Sequence, residues 1–482
     1  MTESSSTEGN PQNEDIKLEK DLTEEKEETK TKERKKDIGT DIEKSMVTRD
    51  SHPLSNPSKK TFTKFAFLIF GIGGLLAWNA ILSDLDFFNY YLKEAPVKPD
   101  VIYPFMNFAL NITFQFILVF NKKIFSYKIQ LIVTIALSML SLVLLPISVI
   151  FFSPTVGFYL SCGIVLLQGF FNAVCLSSFF GLVSYFPTEN IVMMSTGQGI
   201  AGILMNVIKY ITLLSLSSYS EKDQNIYGTL IFFSISAVIM LVCLIFVVLA
   251  YKNRYFLSIL SNTDEKPQDL VSIDDLNEKE AIVSSSEDDT YSERTYPKQA
   301  EQKNVSFCEA FKAVLAINLL LFFMYTVTFT LYPAACLTPS LFSLPMNWKP
   351  NTVVTIFNVL DTIGRNLLNF IKPRKMLLYI FSLGRAIVLI TLPLNIYFDT
   401  HEGYDKTWCS AFLIINVAIL AITNGLCTSL SYALAPMEVE DHMKGKAGST
   451  VSFFNICGIF TGTCVAFGMN AIISAITPQT QN

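Results

Sequence analysis

Two oppositely charged residues, Asp361 and Arg365, stand inside an apolar stretch of the chain, in residues 358–365 (NVLDTIGR). Their four-residue spacing places both on one face of a helix, with the acid nearer the N-terminus, which favours an intrahelical ion pair. Such a pair presents carboxylate acceptors beside guanidinium donors, a combination that suits the adjacent hydroxyl groups of a sugar. It could equally hold two helices together, and the residues alone leave both interpretations open.

Four further ionisable residues lie in or beside apolar stretches, namely Lys209, Arg385, Asp84 and Asp86. A charge inside a membrane span costs about 2.5 to 3.5 kcal/mol unless it is paired or hydrated, so each marks a candidate site. We expect a structural or gating role for Lys209 and Arg385. Asp84 and Asp86 stand near the end of a span, where a carboxylate can bind a proton or lie in interfacial water, and we expect the second.

Uncharged polar residues also occur in these stretches, among them Trp78, Asn79 and Gln168. A wide aromatic plane with amide donors and acceptors is what a heterocyclic base requires, although Trp and Asn are also ordinary helix-packing residues. Residues 195–202 (STGQGIAG) are mostly small, which allows helices to approach closely. Gly197 and Gly202 are therefore predicted to lie on a packing surface between helices.

The composition indicates a membrane protein. Half of the 482 residues are hydrophobic and only 16% are charged, whereas about 25% is usual in soluble domains. The charges crowd into the first 60 residues, into residues 252–306 and into short connectors. The net charge is −5, and the basic residues are mixed with acidic ones, so the sequence has no basic patch of the kind that binds nucleic acid. The nine cysteines form no CxxC pair, and no P-loop, HExxH or nucleophile elbow occurs, so we expect no metal, no cofactor and no enzyme activity.

Eleven segments are apolar and long enough, at about 20 residues, to cross a bilayer. They are residues 63–90, 101–121, 127–152, 156–181, 191–216, 227–251, 307–331, 350–371, 374–398, 407–433 and 447–474. The excess of Lys and Arg in alternate connectors predicts a cytoplasmic N-terminus, and the odd number of spans then places the C-terminus outside.

The charged segments divide the chain into five parts. We predict a disordered cytoplasmic tail (1–60), a six-helix bundle (61–251), a cytoplasmic loop (252–306), a five-helix bundle (307–474) and a short outer tail (475–482). The fold class is an all-α polytopic membrane protein in a 6+5, major-facilitator-like arrangement, which suggests a transporter that rocks about a central site. Residues 284–289 (SSSEDD) are interpreted as solvated linker, with a kinase site as the alternative.

Four motifs resemble the equilibrative nucleoside transporter family (solute carrier family 29 type), over nearly all of residues 63–474. They are residues 77–79 (AWN), residues 167–171 (LQGFF) with 196–202 (TGQGIAG), residues 357–365 (FNVLDTIGR), and residues 423–425 (TNG) with 447–448 (AG). They fall in the same spans as in the family, with the long loop after the sixth.

The resemblance implies a nucleoside transporter working by facilitated diffusion, with nucleobases as further substrates and the plasma membrane as its location. Asp361 and Arg365 would contact the ribose, Gln168 the base, and Trp78 would pack against the ligand. Asn358 would line the same wall, Met106 is a further candidate, and Asn79, Gly197, Gly202, Lys209 and Arg385 are expected to have gating or structural roles. Proton-coupled symport through Asp84, Asp86 or Asp361 is the main alternative, and a channel or receptor is the other.

Overall fold

The computed structural model describes residues 57–120, 125–216, 218–261, 307–332, 335–342, 349–401 and 404–476. From Ser58 onward these residues belong to one compact unit. Most of the predicted tail 1–60, of the loop 252–306 with its serine cluster, and of the tail 475–482 lies outside the described residues.

All regular elements in the described ranges are helices. They are α1 (Pro57–Ser83), α2 (Leu85–Tyr91), α3 (Pro99–Phe120), α4 (Tyr127–Ile150), α5 (Pro154–Val183), α6 (Thr188–Ser215), α7 (Glu221–Ala250), α8 (Arg254–Leu260), α9 (Phe307–Leu331), α10 (Lys349–Asn366), α11 (Lys375–Gly384), α12 (Val388–Thr400), α13 (Lys406–Leu434) and α14 (Lys444–Ile476). Short 3-10 turns occupy Ala335–Leu337, Leu367–Asn369, Arg385–Ile387, Ala435–Glu438 and Asp441–Met443.

Residues in the connectors set where several helices begin. Proline opens α5 at its first position, where a missing backbone N–H costs nothing. Ser220 caps α7 by accepting a hydrogen bond from the backbone N–H of Asp223, and Asp405 caps α13 in the same way through Thr407. The helix boundaries therefore follow local sequence signals at these connectors.

A helix lies at each of the eleven predicted positions, and ten candidate spans in the described residues are long and apolar enough to cross a membrane. The tenth helix, α10, is absent from these ten; it is 18 residues long and carries Asp361 and Arg365. Its polar side packs against α6 and α13. The all-helical membrane fold is thus confirmed, whereas the count of eleven rests on this one polar helix.

The first predicted span, 63–90, is wrong as one continuous helix. The structure ends α1 at Ser83, and Asp84 separates it from the short helix α2. The interruption has a physical reason, because the carboxylate of Asp84 is buried against side chains of α6 and α7. The ninth span is also irregular, since a 3-10 turn at Arg385–Ile387 joins α11 to α12.

The helices before residue 262, α1–α8, are called the first group and the helices after residue 306, α9–α14, the second group; the two groups meet along two seams. Within the groups, α5 packs on α3 and α4, α7 on α4, α9 on α14 and α13 on α10. Between them, α6 packs on α10, and α14 packs along α3 and α5. The motif glycines lie at such crossings, because a Cβ on Gly197 would overlap a backbone carbonyl of α1, and one on Gly425 would overlap the backbone carbonyl of Asp361.

The crossing of α10 and α13 gives a first prediction. Gly425→Ala would force the two backbones apart, so we expect the free energy of unfolding to fall by about 1 to 3 kcal/mol. The measurement is the thermal midpoint of the purified protein in detergent. Gly163→Ala is the matched control, since a Cβ there meets nothing within 4 Å. Equal midpoints for the two variants would show that the α10–α13 contact is looser than described.

Candidate functional site

Asp361 and Arg365 form a buried ion pair on α10. The Nε of Arg365 donates to Oδ2 of Asp361 at 2.6 Å, and the two side chains are only 6% and 7% exposed. The four-residue spacing predicted this contact. At such burial an unpaired guanidinium would be strongly unfavourable, so each charge depends on the other.

The carboxylate is also held by the neighbouring helices of its own group. Asn424 of α13 donates from Nδ2 to Oδ1 of Asp361 at 2.7 Å. The amide oxygen of Asn424 in turn accepts from the hydroxyl of Thr328 in α9 at 2.9 Å. The sequence motif contained Asn424 but assigned it no role; its only signal was an amide inside an apolar span.

The guanidinium reaches across the seam to α6. Its Nη1 donates to the backbone oxygen of Ser195 at 3.3 Å, to the Ser195 hydroxyl at 3.2 Å and to Oε1 of Gln198 at 3.1 Å. The Ser195 hydroxyl also hydrogen-bonds Ser429 of α13 at 2.7 Å. The charged pair therefore joins both groups of helices, and the sequence did not predict that Ser195 or Ser429 would take part in this hydrogen-bond network.

A cleft of about 1030 Å³ opens at the predicted inner end of the assembly. Its lining comes from residues 184–188 and Ile191 on one side and from residues between Ala433 and Lys444 on the other. Ser195 lies one helical turn beyond Ile191, and Ser429 lies one turn beyond Ala433. The contacts of Arg365 with Ser195 thus lie about one turn deeper than this cleft, between it and the middle of the protein.

The residues predicted to contact a base are buried among protein partners. The amide of Gln168 accepts from Ser141 at 2.5 Å and donates to Ser138 at 3.3 Å, both in α4. Trp78 packs edge-on against Phe108 of α3, with ring centres 5.0 Å apart. Met106 is half-buried against the hydrophobic core. The structure does not bring these three side chains into contact with the ion pair.

Asn358 lies one turn before Asp361 and next to α6. It is half-buried, and a Cβ on Gly202 would meet its amide nitrogen at 2.8 Å. Gly202 is thus the position that lets this amide sit against α6, while Gly197 lies at the crossing of α1 and α6. Asn79 is half-buried in α1.

Asp84 was expected to lie in interfacial water, and the structure contradicts this. Its side chain is buried, one oxygen pairs with Lys209 of α6, and the other accepts from Thr229 of α7 at 2.6 Å. Asp86 remains exposed, with its carboxylate 3.6 Å from the same lysine. Because all partners belong to the first group of helices, this cluster ties α1, α6 and α7 together.

Arg385 is a second buried guanidinium, at the 3-10 turn between α11 and α12. Its Nη2 donates to the backbone oxygen of Leu420 at 2.9 Å, while Nε and Nη1 have no hydrogen-bond partner among the described residues. Its predicted gating or structural role stays a prediction. Within the same ranges, no group of three or more His, Cys, Asp or Glu could hold a metal ion.

Helices of this length and hydropathy, with paired charges buried between them, define a polytopic membrane protein. The fold is similar to the solved structure of the major facilitator superfamily proton:xylose symporter XylE bound to 6-bromo-6-deoxy-D-glucose. The TM-score is 0.61 and the identity 13%, over 87% of this chain and 90% of that chain. At this identity the likeness shows the fold alone, and it confirms the expected major-facilitator-like arrangement.

A family model described as "Nucleoside transporter" matches residues 162–471, more than half of the chain. Relatives include equilibrative nucleoside transporter 2 of Rattus norvegicus, 25% identical over 85% of this chain and 96% of that protein. Equilibrative nucleotide transporter 1 of Arabidopsis thaliana is 23% identical over 84% and 85%. The chain belongs to the equilibrative nucleoside transporter family, which confirms the prediction from its motifs. Family and fold are those of transporters rather than enzymes.

The buried ion pair gives a second prediction. Asp361→Asn would leave the Arg365 guanidinium without a counter-ion, and we expect a loss of about 3 to 5 kcal/mol in stability. The double variant Asp361→Asn with Arg365→Gln removes both charges and should recover most of that loss. Thermal midpoints of the purified proteins measure both. A single variant as stable as the wild type would contradict the buried pair.

Proposed function

We propose that this chain carries nucleosides across a membrane by facilitated diffusion with alternating access, with nucleobases as a second substrate class. The names of the rat and Arabidopsis relatives support a substrate of this chemistry. The observation that carries the proposal is the buried pair of Asp361 and Arg365 at the seam between the two groups of helices. Nucleobases lack the sugar, so they would have to bind through contacts to the base alone.

The chemistry of the pair suits a ribose. A carboxylate offers about four lone-pair positions, and the hydrogen bonds from Arg365 and Asn424 occupy one on each oxygen. The remaining positions can accept from two adjacent hydroxyls, such as the 2′- and 3′-hydroxyls of a nucleoside. Hydrogen bonds to a charged group are worth about 1.5 to 3 kcal/mol each, which is enough to select a ribose over a deoxygenated sugar.

The same pair can connect substrate binding to opening of the inner end. In this conformation Arg365 donates hydrogen bonds to Ser195 and Gln198 of the opposite group. Separation of α6 from α10 would break these bonds and expose the pair to the inner cleft. Substrate hydroxyls would then replace the lost partners, so binding stabilises the state in which the seam is open.

Transport and its sugar dependence form the third prediction. Purified protein in liposomes should take up labelled adenosine or uridine with saturable kinetics. We expect the 2′,3′-dideoxy analogue to compete at least about tenfold more weakly, because it lacks both donors to Asp361. In Asp361→Asn this ratio should fall towards one. Asp399→Asn is the control, since Asp399 is also buried but bonds Ser340. Absence of uptake by the wild type would refute the proposed function.

The position of Asp84 disfavours this residue as the proton-coupling group. Its carboxylate is buried and satisfied by Lys209 and Thr229, so it lies neither in water nor free to take a proton from a mouth of the transporter. A proton-coupled symporter needs a carboxylate that gains and loses a proton during the cycle. Asp84 in this setting acts instead as a structural partner of Lys209.

The fourth prediction concerns this choice. We expect the initial rate of nucleoside uptake into liposomes to be the same with and without an inward proton gradient, and a protonophore to leave it unchanged. A rate that rises with the gradient and loses that rise in Asp84→Asn would establish the proton-coupled alternative.

We also propose that the N-terminus is cytoplasmic, the C-terminus extracellular and the protein located in the plasma membrane, with bundles at 61–251 and 307–474. The basic residues of the connectors support this orientation. The serine cluster at 284–286 would then face cytoplasmic kinases. Accessibility of single tagged connectors to a membrane-impermeant reagent in intact cells tests the orientation.

A further inference from the structure

Helix α3 carries a stripe of three carboxamides, Asn107, Asn111 and Gln115, spaced four residues apart. All three side chains have zero exposed surface. Nε2 of Gln115 donates to Oδ1 of Asn111 at 2.8 Å. Both amide atoms of Asn107, Nδ2 of Asn111 and Oε1 of Gln115 have no hydrogen-bond partner in the part of the chain that the structure describes. Four such atoms in one stripe are an unusual concentration, because buried polar groups are nearly always paired.

The contacts of neighbouring residues show which way the stripe faces. Tyr103 donates to Ser161 of α5, and the backbone of Asn107 abuts Gly169 of the same helix. Phe108 contacts Trp78 of α1. Successive residues of a helix turn by about 100°, so Asn111 and Gln115 lie between the direction of α5 and that of α1.

The second group of helices lies in another direction. Phe105 and Phe116, on the opposite side of α3, contact Phe460 and Phe453 of α14. Asn111 and Gln115 therefore belong to the wall that also holds Trp78, the residue predicted to pack against the ligand. Asn107 continues this wall by one turn.

The amide predicted to read the base, that of Gln168, is engaged elsewhere. Both of its polar atoms bond serines of α4. In contrast, the bond between Gln115 and Asn111 leaves one donor, Nδ2 of Asn111, and one acceptor, Oε1 of Gln115, without a partner among the described residues. Exchanging oxygen and nitrogen in both amides reverses their order but still leaves one donor and one acceptor. Such a pair matches the edge of a heterocyclic base, where ring nitrogens and exocyclic groups also alternate as donors and acceptors.

Depth along the helices is consistent with a shared site. Asn111 lies twelve residues from the start of α3, and Asp361 lies twelve residues from the start of α10. Both helices begin at the predicted outer end, and each side chain lies about 18 Å along its own helix from that beginning.

We propose that Asn111 and Gln115 form the subsite that hydrogen-bonds the heterocyclic base of the solute. The inference rests on the proposed function and changes its detail, since it moves base recognition from α5 to α3. The carboxamides stay without protein partners in this conformation because their partner is the base. The opposite outcome is an internal water seam, in which the carboxamides bind only ordered water molecules and never contact the solute. The selectivity of transport would then not depend on these residues.

The test compares nucleosides that share a ribose and differ in the base edge. For the wild type we expect purine riboside, which lacks the exocyclic amine, to compete at least about tenfold more weakly than adenosine. If uridine is the better substrate, 3-methyluridine replaces purine riboside as the probe. Equal competition by both members of the pair in the wild type would overturn the proposal without any variant.

The double variant Asn111→Leu with Gln115→Met keeps the side-chain size and removes the amides. We expect its KM for the nucleoside to rise about tenfold or more at similar Vmax, and the ratio between the two competitors to fall towards one. The weaker binding of the dideoxy analogue should persist, because the ribose contact is untouched. Asn318→Leu is the matched control, since Asn318 in α9 is equally buried with both amide atoms unpartnered among the described residues. Its competitor ratio should equal that of the wild type.

The outcomes separate the two proposals. Wild-type uptake with an unchanged ratio in the double variant means an internal water seam, so the inference fails and the proposed function stands. Failure of wild-type uptake removes the proposed function itself. If the double variant is not recovered as folded protein by its thermal midpoint, Gln115→Met alone, which removes the unpaired acceptor, is measured by the same ratio and judged by the same criterion.

Discussion

The Arg365 guanidinium needs a counter-ion inside the helix assembly, and the surrounding structure is arranged around that requirement. Asp361 supplies the charge from the same helix, but holding its carboxylate also takes Asn424 from α13. α13 can come that close only because Gly425 meets the Asp361 backbone without a side chain. On the other side of α10, Gly199 and Gly202 allow α6 to approach, and Ser195 and Gln198 then reach the guanidinium. Gly425, Gly199 and Gly202 are thus explained by the ion pair they surround.

In this arrangement the same donors and acceptors are used in two states, one with α6 against α10 and one with the two helices apart. While α6 lies against α10, Arg365 satisfies its donors with protein groups about one turn from the inner cleft. When the helices separate, those donors and the remaining lone pairs of Asp361 are available to a substrate with adjacent hydroxyls. A ligand shifts such an equilibrium only by the difference in its affinity for the two states. Direct competition between α6 and the sugar provides that difference.

The sequence predicted what depends on local spacing and hydropathy. The helix positions follow from apolar length, and the pairing of Asp361 with Arg365 follows from their four-residue separation. Contacts between distant helices could not be predicted in this way. Asp84 and Lys209 are 125 positions apart in the chain, so nothing local showed that they pair and interrupt the first span. Likewise, hydropathy showed that α3 is apolar enough to cross a membrane, but the burial of its carboxamides depends on how α1 and α5 pack against it.

The central claim is that sugar hydroxyls compete with α6 for the buried ion pair. It is tested most directly by the distance between spin labels at Thr188 and Met437, which both line the inner cleft on opposite groups of helices. Addition of a transported nucleoside should shift the distance distribution towards longer values. Its 2′,3′-dideoxy analogue, added at a concentration that occupies the same fraction of the transporter, should leave the distribution unchanged. An equal shift with both ligands would contradict the claim, since the cleft would then open without any contribution from the ribose hydroxyls.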